Sequence, residues 1–277
     1  MAHIIRYIQG FYPVMVSDGI SYNSIDDISY NISVDIKLLS SKRIMFVKSI
    51  EINTGGELYF SKLEKLFYSN DTTIKLVGNC SSMFEQSKFN QDISRWDVSR
   101  VVIMHHMFYS SKFNQDVSDW DVSSVTDMSN MFNNSKFNQD VSDWDVSSVK
   151  YMSYMFEYSE FNRDISRWDV SGVKSMHRMF YSSEFNQDIG DWDVSRVKNM
   201  SYMFNKSQFN HDISRWDVSS VINMDYMFYS SKFNQDISRW DVSGVTRMDY
   251  MFANSKFNQD ISSWDVSSVK SMYSMLD

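Results

Sequence analysis

All eight tryptophans of this chain fall at one interval: Trp96, Trp120, Trp144, Trp168, Trp192, Trp216, Trp240 and Trp264, each 24 residues after the last. Aligned on them, the chain repeats F-N-x-D-(I/V)-(S/G)-x-W-D-V-S-x-V-x-x-M-x-x-M-F-x-x-S, with Leu276 standing where the final phenylalanine belongs. Strict self-similarity at this period is the signature of a solenoid, in which each unit packs only on its neighbours. A single unit cannot stand alone. Its eight large apolar side chains are worth roughly 2 kcal/mol each when buried. Ordering the backbone of one unit costs on the order of 24–48 kcal/mol. Neighbouring units must supply the rest, and at about 4.8 Å between stacked strands the whole array makes a rod roughly 40 Å long.

Two spacings coexist inside a unit. Val122, Val125, Met128, Met131 and Phe132 step by three, three, three and one, which predicts one face of a short helix, with Ser123 as its N-cap and Asp121 adding negative charge at its start. Phe113 to Val122 is richer in β-branched and aromatic residues and reads as a short strand with its exit. The expectation is therefore an α/β, leucine-rich-repeat-like right-handed solenoid with one short parallel strand and one short helix per unit. A glycine-repeat β-helix is excluded, because the glycines Gly172, Gly190 and Gly244 sit at variable positions.

The invariant polar residues would stack in columns. Asparagines such as Asn114 can hydrogen-bond between layers, as in amide ladders. The aspartates (Asp116, Asp121 and their equivalents) are expected to accept backbone N–H bonds at turns. A row of calcium ions between them is the sharper alternative, since hard cations need six or more oxygens each. Sixteen of the 35 acidic residues occupy these two columns, so the net charge of −8 overstates how acidic the variable surface is. That net charge still argues against general nucleic-acid or anionic-membrane binding. No stretch approaches 18 consecutive apolar residues, so no membrane-spanning helix is expected.

The string FNQDISRWDVSSV followed by M-x-x-M-F closely resembles the BspA-like repeat, known from surface proteins of mycoplasmas and other bacteria, from protists and from amoeba-infecting giant viruses. The resemblance covers residues 74–277, and the three blocks match in order and spacing. It implies a leucine-rich-repeat-like fold and a role in surface attachment or protein–protein interaction, with no catalytic residues to carry over. Secreted relatives bear an export signal or a lipid-anchor cysteine. The start of this chain shows neither, Arg6, Tyr7 and Gln9 interrupting the apolar stretch, which favours an intracellular or virion-associated location.

The repeat divides the chain into a small, mostly-β N-terminal capping domain over 1–73 and a solenoid over 74–277. The latter comprises a half repeat (74–88) and eight 24-residue repeats, the last truncated. In the first part, segments 3–16 and 28–39 read as strands and Ile50–Phe60 as a hairpin around a glycine turn. Ser61 with Glu64 suggests a capping box for a short helix ending near Tyr68. Cys80 occupies the first methionine position of the half repeat, so a buried small hydrophobe is expected there. The absence of a polar cap after Met275 leaves end-to-end self-association open.

Candidate chemistry is sparse. His105 and His177 share a column but lie three layers apart, roughly 15 Å, too far to share a metal. There is no phosphate-cradling glycine loop and no H-E-x-x-H, so neither an enzyme, a metal site nor a cofactor is expected. The better candidate is a binding column just before the second methionine: Tyr154, Arg178, Tyr202, Tyr226 and Tyr250, with Tyr109, Tyr181 and Tyr229 flanking it. Tyrosines in a row bring large contact area at low entropy cost, though they can equally pack on one another. These residues point to a non-enzymatic interaction or adhesion scaffold with a protein or glycan partner. The alternative is a structural assembly component of a virion or surface layer.

Overall fold

The computed structural model describes residues 74–277 throughout and, upstream, the backbone of 44–47, 50–53 and 65–68. Five strands are present: β1 (Ile44–Val47), β2 (Ile50–Asn53), β3 (Lys65–Tyr68), β4 (Ile74–Asn79) and β5 (Asp97–Ile103). All pairings are parallel, β1 with β3 and β2–β4–β5 in a second sheet. One upstream expectation needs correction: the helix expected to end near Tyr68 gives way to strand β3. Of the hairpin expected over Ile50–Phe60, the turn and second strand lie outside the described residues, and its first strand, β2, pairs with β4 in the register Ile50↔Ile74, one repeat apart. Backbone pairing thus runs across the boundary drawn at residue 73. The strands expected at 3–16 and 28–39 lie outside the described residues.

From β5 onward each unit contributes a single parallel bridge to the next, from Ile103↔Asp127 through Tyr151↔Ser175 to Arg247↔Ser271. The expected helix is absent: among the described residues no α-helix forms, and Val122–Phe132 is a run of tight turns. Its three-residue steps are real but are made by i→i+3 turns, Val125 N–H to Val122 O at 2.9 Å and Met131 N–H to Met128 O at 3.1 Å. Between them the alternate N–H groups point out of the unit. Met104, His106, Phe108 and Ser110 donate to the carbonyls of Asp127, Ser129, Met131 and Asn133 at 2.8–3.0 Å. A helix would consume those donors internally. Here they join layers, so the chain satisfies its backbone by stacking.

This path demands left-handed backbone at two positions per unit. Asn130 (φ 59°) and Asn134 (φ 53°) have equivalents such as Tyr154 (61°), Arg178 (55°) and Tyr202 (59°). A bulky residue there is costly, and it persists where surrounding bonds over-determine it. The bonds from His106, Asn130, Tyr154 and Arg178 N–H into the following unit do that.

The interior is a set of continuous columns. Phe108, Phe132, Phe156 and Phe180 stack with centroids 5.7–5.9 Å apart, and Trp144 lies parallel to Trp168 at 6.5 Å. The first seven repeat tryptophans are 3% exposed, and the valines and methionines at the fixed repeat positions between them are essentially buried. From Trp120 onward each indole also bonds across layers, Trp168 Nε1 to Val141 O at 2.9 Å and Trp192 Nε1 to Ile165 O at 3.1 Å. Cys80 is fully buried, as its place in the methionine column requires.

Candidate functional site

The polar columns are structural. Each F-N-x-D aspartate accepts the N–H of the serine or glycine two residues on, as in Asp164 Oδ1 with Ser166 at 2.9 Å. Each W-D aspartate accepts the N–H two residues on, and Asp121, for example, also takes the hydroxyl of Ser123 at 2.6 Å. Ser123 is therefore no helix cap; it is the third residue of an Asx turn begun by Asp121. These serine bonds hold Asp140, Asp145, Asp164 and Asp212 below the usual carboxylate range. Among the described residues no group of three or more His, Cys, Asp or Glu is placed to hold a metal ion. The asparagines form the ladder directly: Asn138 N–H donates to Asn114 Oδ1 at 2.9 Å and Asn162 N–H to Asn138 Oδ1 at 3.0 Å.

The aromatic column has its own architecture. Tyr154, Arg178, Tyr202, Tyr226 and Tyr250 are half-buried, and the last three rings lie on one another. Tyr202 stacks on Tyr226 at 4.6 Å and 8°, and Tyr226 on Tyr250 at 4.7 Å and 18°. The guanidinium of Arg178 fills the layer above, 4.8 Å from the Tyr202 centroid, 4.7 Å from Tyr181 and 5.9 Å from Tyr154. Cation and π faces match in charge there. Burial and the surrounding charges push the Tyr202 and Tyr226 phenols above their ordinary range. Residues invisible to the repeat pattern lock this column. Glu157 pairs with Arg178 at 3.0 Å and accepts Asn133 Nδ2 at 2.9 Å. Its burial raises its carboxyl despite that cation. Asp225, likewise raised by burial, pairs with Arg247 at 2.6 Å.

His177 ties two layers of the column together. Its Nε2 lies 3.0 Å from the Tyr154 hydroxyl and its Nδ1 2.6 Å from Ser201 Oγ. Ser201 donates to Asn199 Oδ1 at 2.7 Å, so Nδ1 must carry the proton and Tyr154 must donate to Nε2. Burial first, and the adjacent Arg178 second, lower the imidazole's affinity for a second proton. Glu157, Asp225 and His177 occupy positions that vary from unit to unit, so no signal in the repeat marks them. The charged position before tryptophan pairs across layers, Arg167 with Asp143 at 3.4 Å and Arg215 with Asp191 at 2.8 Å.

A family model described as a mycoplasma protein of unknown function, DUF285, matches residues 78–190 and 181–277, most of the chain. The chain belongs to this family. No curated protein and no solved structure matches it. The two DUF285 segments overlap at residues 181–190 and together cover the aromatic column from end to end. Among the described residues no helix of this DUF285 chain is long and apolar enough to cross a membrane.

Proposed function

We propose that this chain is a non-enzymatic recognition scaffold that binds a protein partner along the column Tyr154–Arg178–Tyr202–Tyr226–Tyr250. The observation that carries this reading is the stacking itself. Large amphipathic side chains occupy five successive layers and are held rigid by ring contacts and by Glu157. Rigid tyrosine and arginine anchors lose little entropy on binding and dominate many protein interfaces. Their faces cover one another, which leaves edges and hydroxyls for a partner and disfavours a sugar ring lying flat on them. The non-enzymatic part is supported by the committed state of the polar groups: both His177 nitrogens are hydrogen-bonded, and the column aspartates already accept serine N–H groups. The same reading takes the stack as a solenoid related to BspA-like repeats, on the strength of the F-N-x-D, W-D-V-S and M-x-x-M-F blocks.

The test is crosslinking capture of partners by the full chain and by the Tyr202→Ala, Tyr226→Ala, Tyr250→Ala triple variant. Thermal melting shows whether the variant keeps its fold. Loss of a specific partner is expected, and an unchanged set of partners overturns the reading. A second reading, structural assembly through contact between copies, is favoured by the near-identity of the units, since a specific binding face usually diversifies its exposed columns. Sedimentation at high protein concentration checks it, and a monomer removes it.

A further inference from the structure

Three consecutive layers carry a lysine at the same position, Lys174 and Lys198 exposed and Lys150 half-buried, and their backbones are directly bonded. Lys174 N–H donates to Lys150 O and Lys198 N–H to Lys174 O, both at 2.9 Å. The three side chains therefore start from one row of backbone positions about 4.8 Å apart. Elsewhere in this column stand Val102, Thr126, Ile222 and Thr246, with Lys270 only in the last unit, so the row is a local feature and not a property of the repeat. Among the described residues none of the three ammonium groups has an ion pair, whereas Arg167, Arg178, Arg215 and Arg247 all do. The flanking positions in the same layers carry no acid: Ser148, Gly172 and Arg196 on one side, Tyr151, Ser175 and Asn199 on the other. Gly172 matters sterically. A Cβ added there would stand 2.7 Å from Lys150 Nζ, so the missing side chain gives the ammonium its place.

Like charges in a bonded row repel unless something neutralises them. Beside the row stands Tyr151, 47% exposed and, unlike the tyrosines of the stacked column, in no ring contact among the described residues. We propose that Lys150, Lys174 and Lys198, with Tyr151, form a docking surface for a linear acidic polysaccharide carrying one carboxylate per sugar. A polyuronate advances by close to one layer of the stack per ring, and its apolar C–H face suits a free aromatic ring. An extended acidic peptide fits less well, because its same-face charges recur at about 6.8 Å. A single-stranded nucleic acid would call for a series of stacking platforms, and only one is present. This surface is independent of the tyrosine column, whose ring faces are already occupied.

The experiment measures binding of the full chain to polygalacturonate, with a neutral glucan, polyglutamate and oligothymidylate as comparison polymers. The Lys150→Gln, Lys174→Gln, Lys198→Gln variant should bind polygalacturonate about tenfold or more weakly. Tyr151→Ala should lose about threefold, and on polygalacturonate only. Raising salt from about 0.05 to about 0.3 M should weaken binding steeply. A charge-matched control, Lys112→Gln, Lys232→Gln, Lys256→Gln, removes three exposed lysines from a different column and should bind as the parent does. The proposal is overturned if the control loses as much as the row variant, if the parent does not bind polygalacturonate, or if polyglutamate or oligothymidylate binds as tightly. The tyrosine-column triple variant should keep full polygalacturonate binding, which separates this outcome from the fate of the protein-partner reading.

Discussion

Residues 137–160 and 257–277 carry nearly the same sequence and live in different environments. In the interior unit Phe137 is 0% exposed, Trp144 3% and Val146 1%. In the last unit the matching Phe257 is only partly buried, Trp264 is 8% exposed and Val266 39%. The interior Met152 donates its N–H to Ser175 O, a bond made to the following layer. The same residues thus stabilise the fold only to the extent that a neighbour lies on both sides. Stability in such an array is a sum of nearest-neighbour terms, and a residue's worth depends on its layer as much as on its chemistry.

The largest break in this comparison should come from the phenylalanine column. Phe156 touches Phe132, Phe161, Trp168 and Phe180, and Phe156→Ala should cost about 3–5 kcal/mol by denaturant unfolding. Phe257→Ala should cost closer to about 1–2 kcal/mol, because less of its area leaves water. Equal losses would mean that layers do not matter. Next, Trp168→Phe removes an indole bond to Val141 O along with some buried area and should cost about 2 kcal/mol.

The asparagine ladder gives a smaller and cleaner contrast. Asn138 Oδ1 accepts Asn162 N–H from the next layer, whereas Asn258 Oδ1 accepts only its neighbour Gln259. Asn138→Ala should lose about 1 kcal/mol and Asn258→Ala close to nothing.

Acid should act with little regard to layer. The aspartate bonds are local, so Asp164 and Asp260 make the same contact with Ser166 and Ser262, 2.9 Å each. Their carboxyls sit below the unfolded value. The stabilisation is therefore complete above that value, about 3.9, and is lost as pH falls through the still lower folded values. His177 adds a loss at higher pH. Its folded affinity for a proton is lowered, so stability should begin to decline as pH drops below about 6.5, and His177→Gln should flatten that part of a melting-temperature profile. Glu157 and Asp225, raised by burial, work in the opposite direction and favour the folded state as they become protonated.

The repeat period, the buried columns, the asparagine ladder and the turn role of the aspartates were legible in the sequence, because each is a property that recurs with the unit. The helix was misread for a physical reason. A three-residue apolar step is produced equally by a helix and by successive i→i+3 turns, and what separates them is the destination of the intervening N–H groups. Asn130, Tyr154 and Arg178 enter left-handed backbone because those groups bond to the next layer, a partner that lies 23 residues away in the chain. In the aromatic column, the tyrosines and Arg178 were visible as a row. Glu157, His177 and Ser201 were not, since they hold it through contacts between different variable positions.

The sequence by itself determined that 24-residue units must bury their tryptophans and phenylalanines against one another, because no single unit offers enough apolar area to offset its own ordering. Only the tertiary structure decided where each backbone donor goes, and with it that the units are turns joined by parallel bridges, that the tyrosines stack face to face, and that three lysines share one row. Hydrophobic burial depends on composition and period, which a sequence displays. Hydrogen-bond direction depends on which layer lies alongside, and that is settled only when the layers meet.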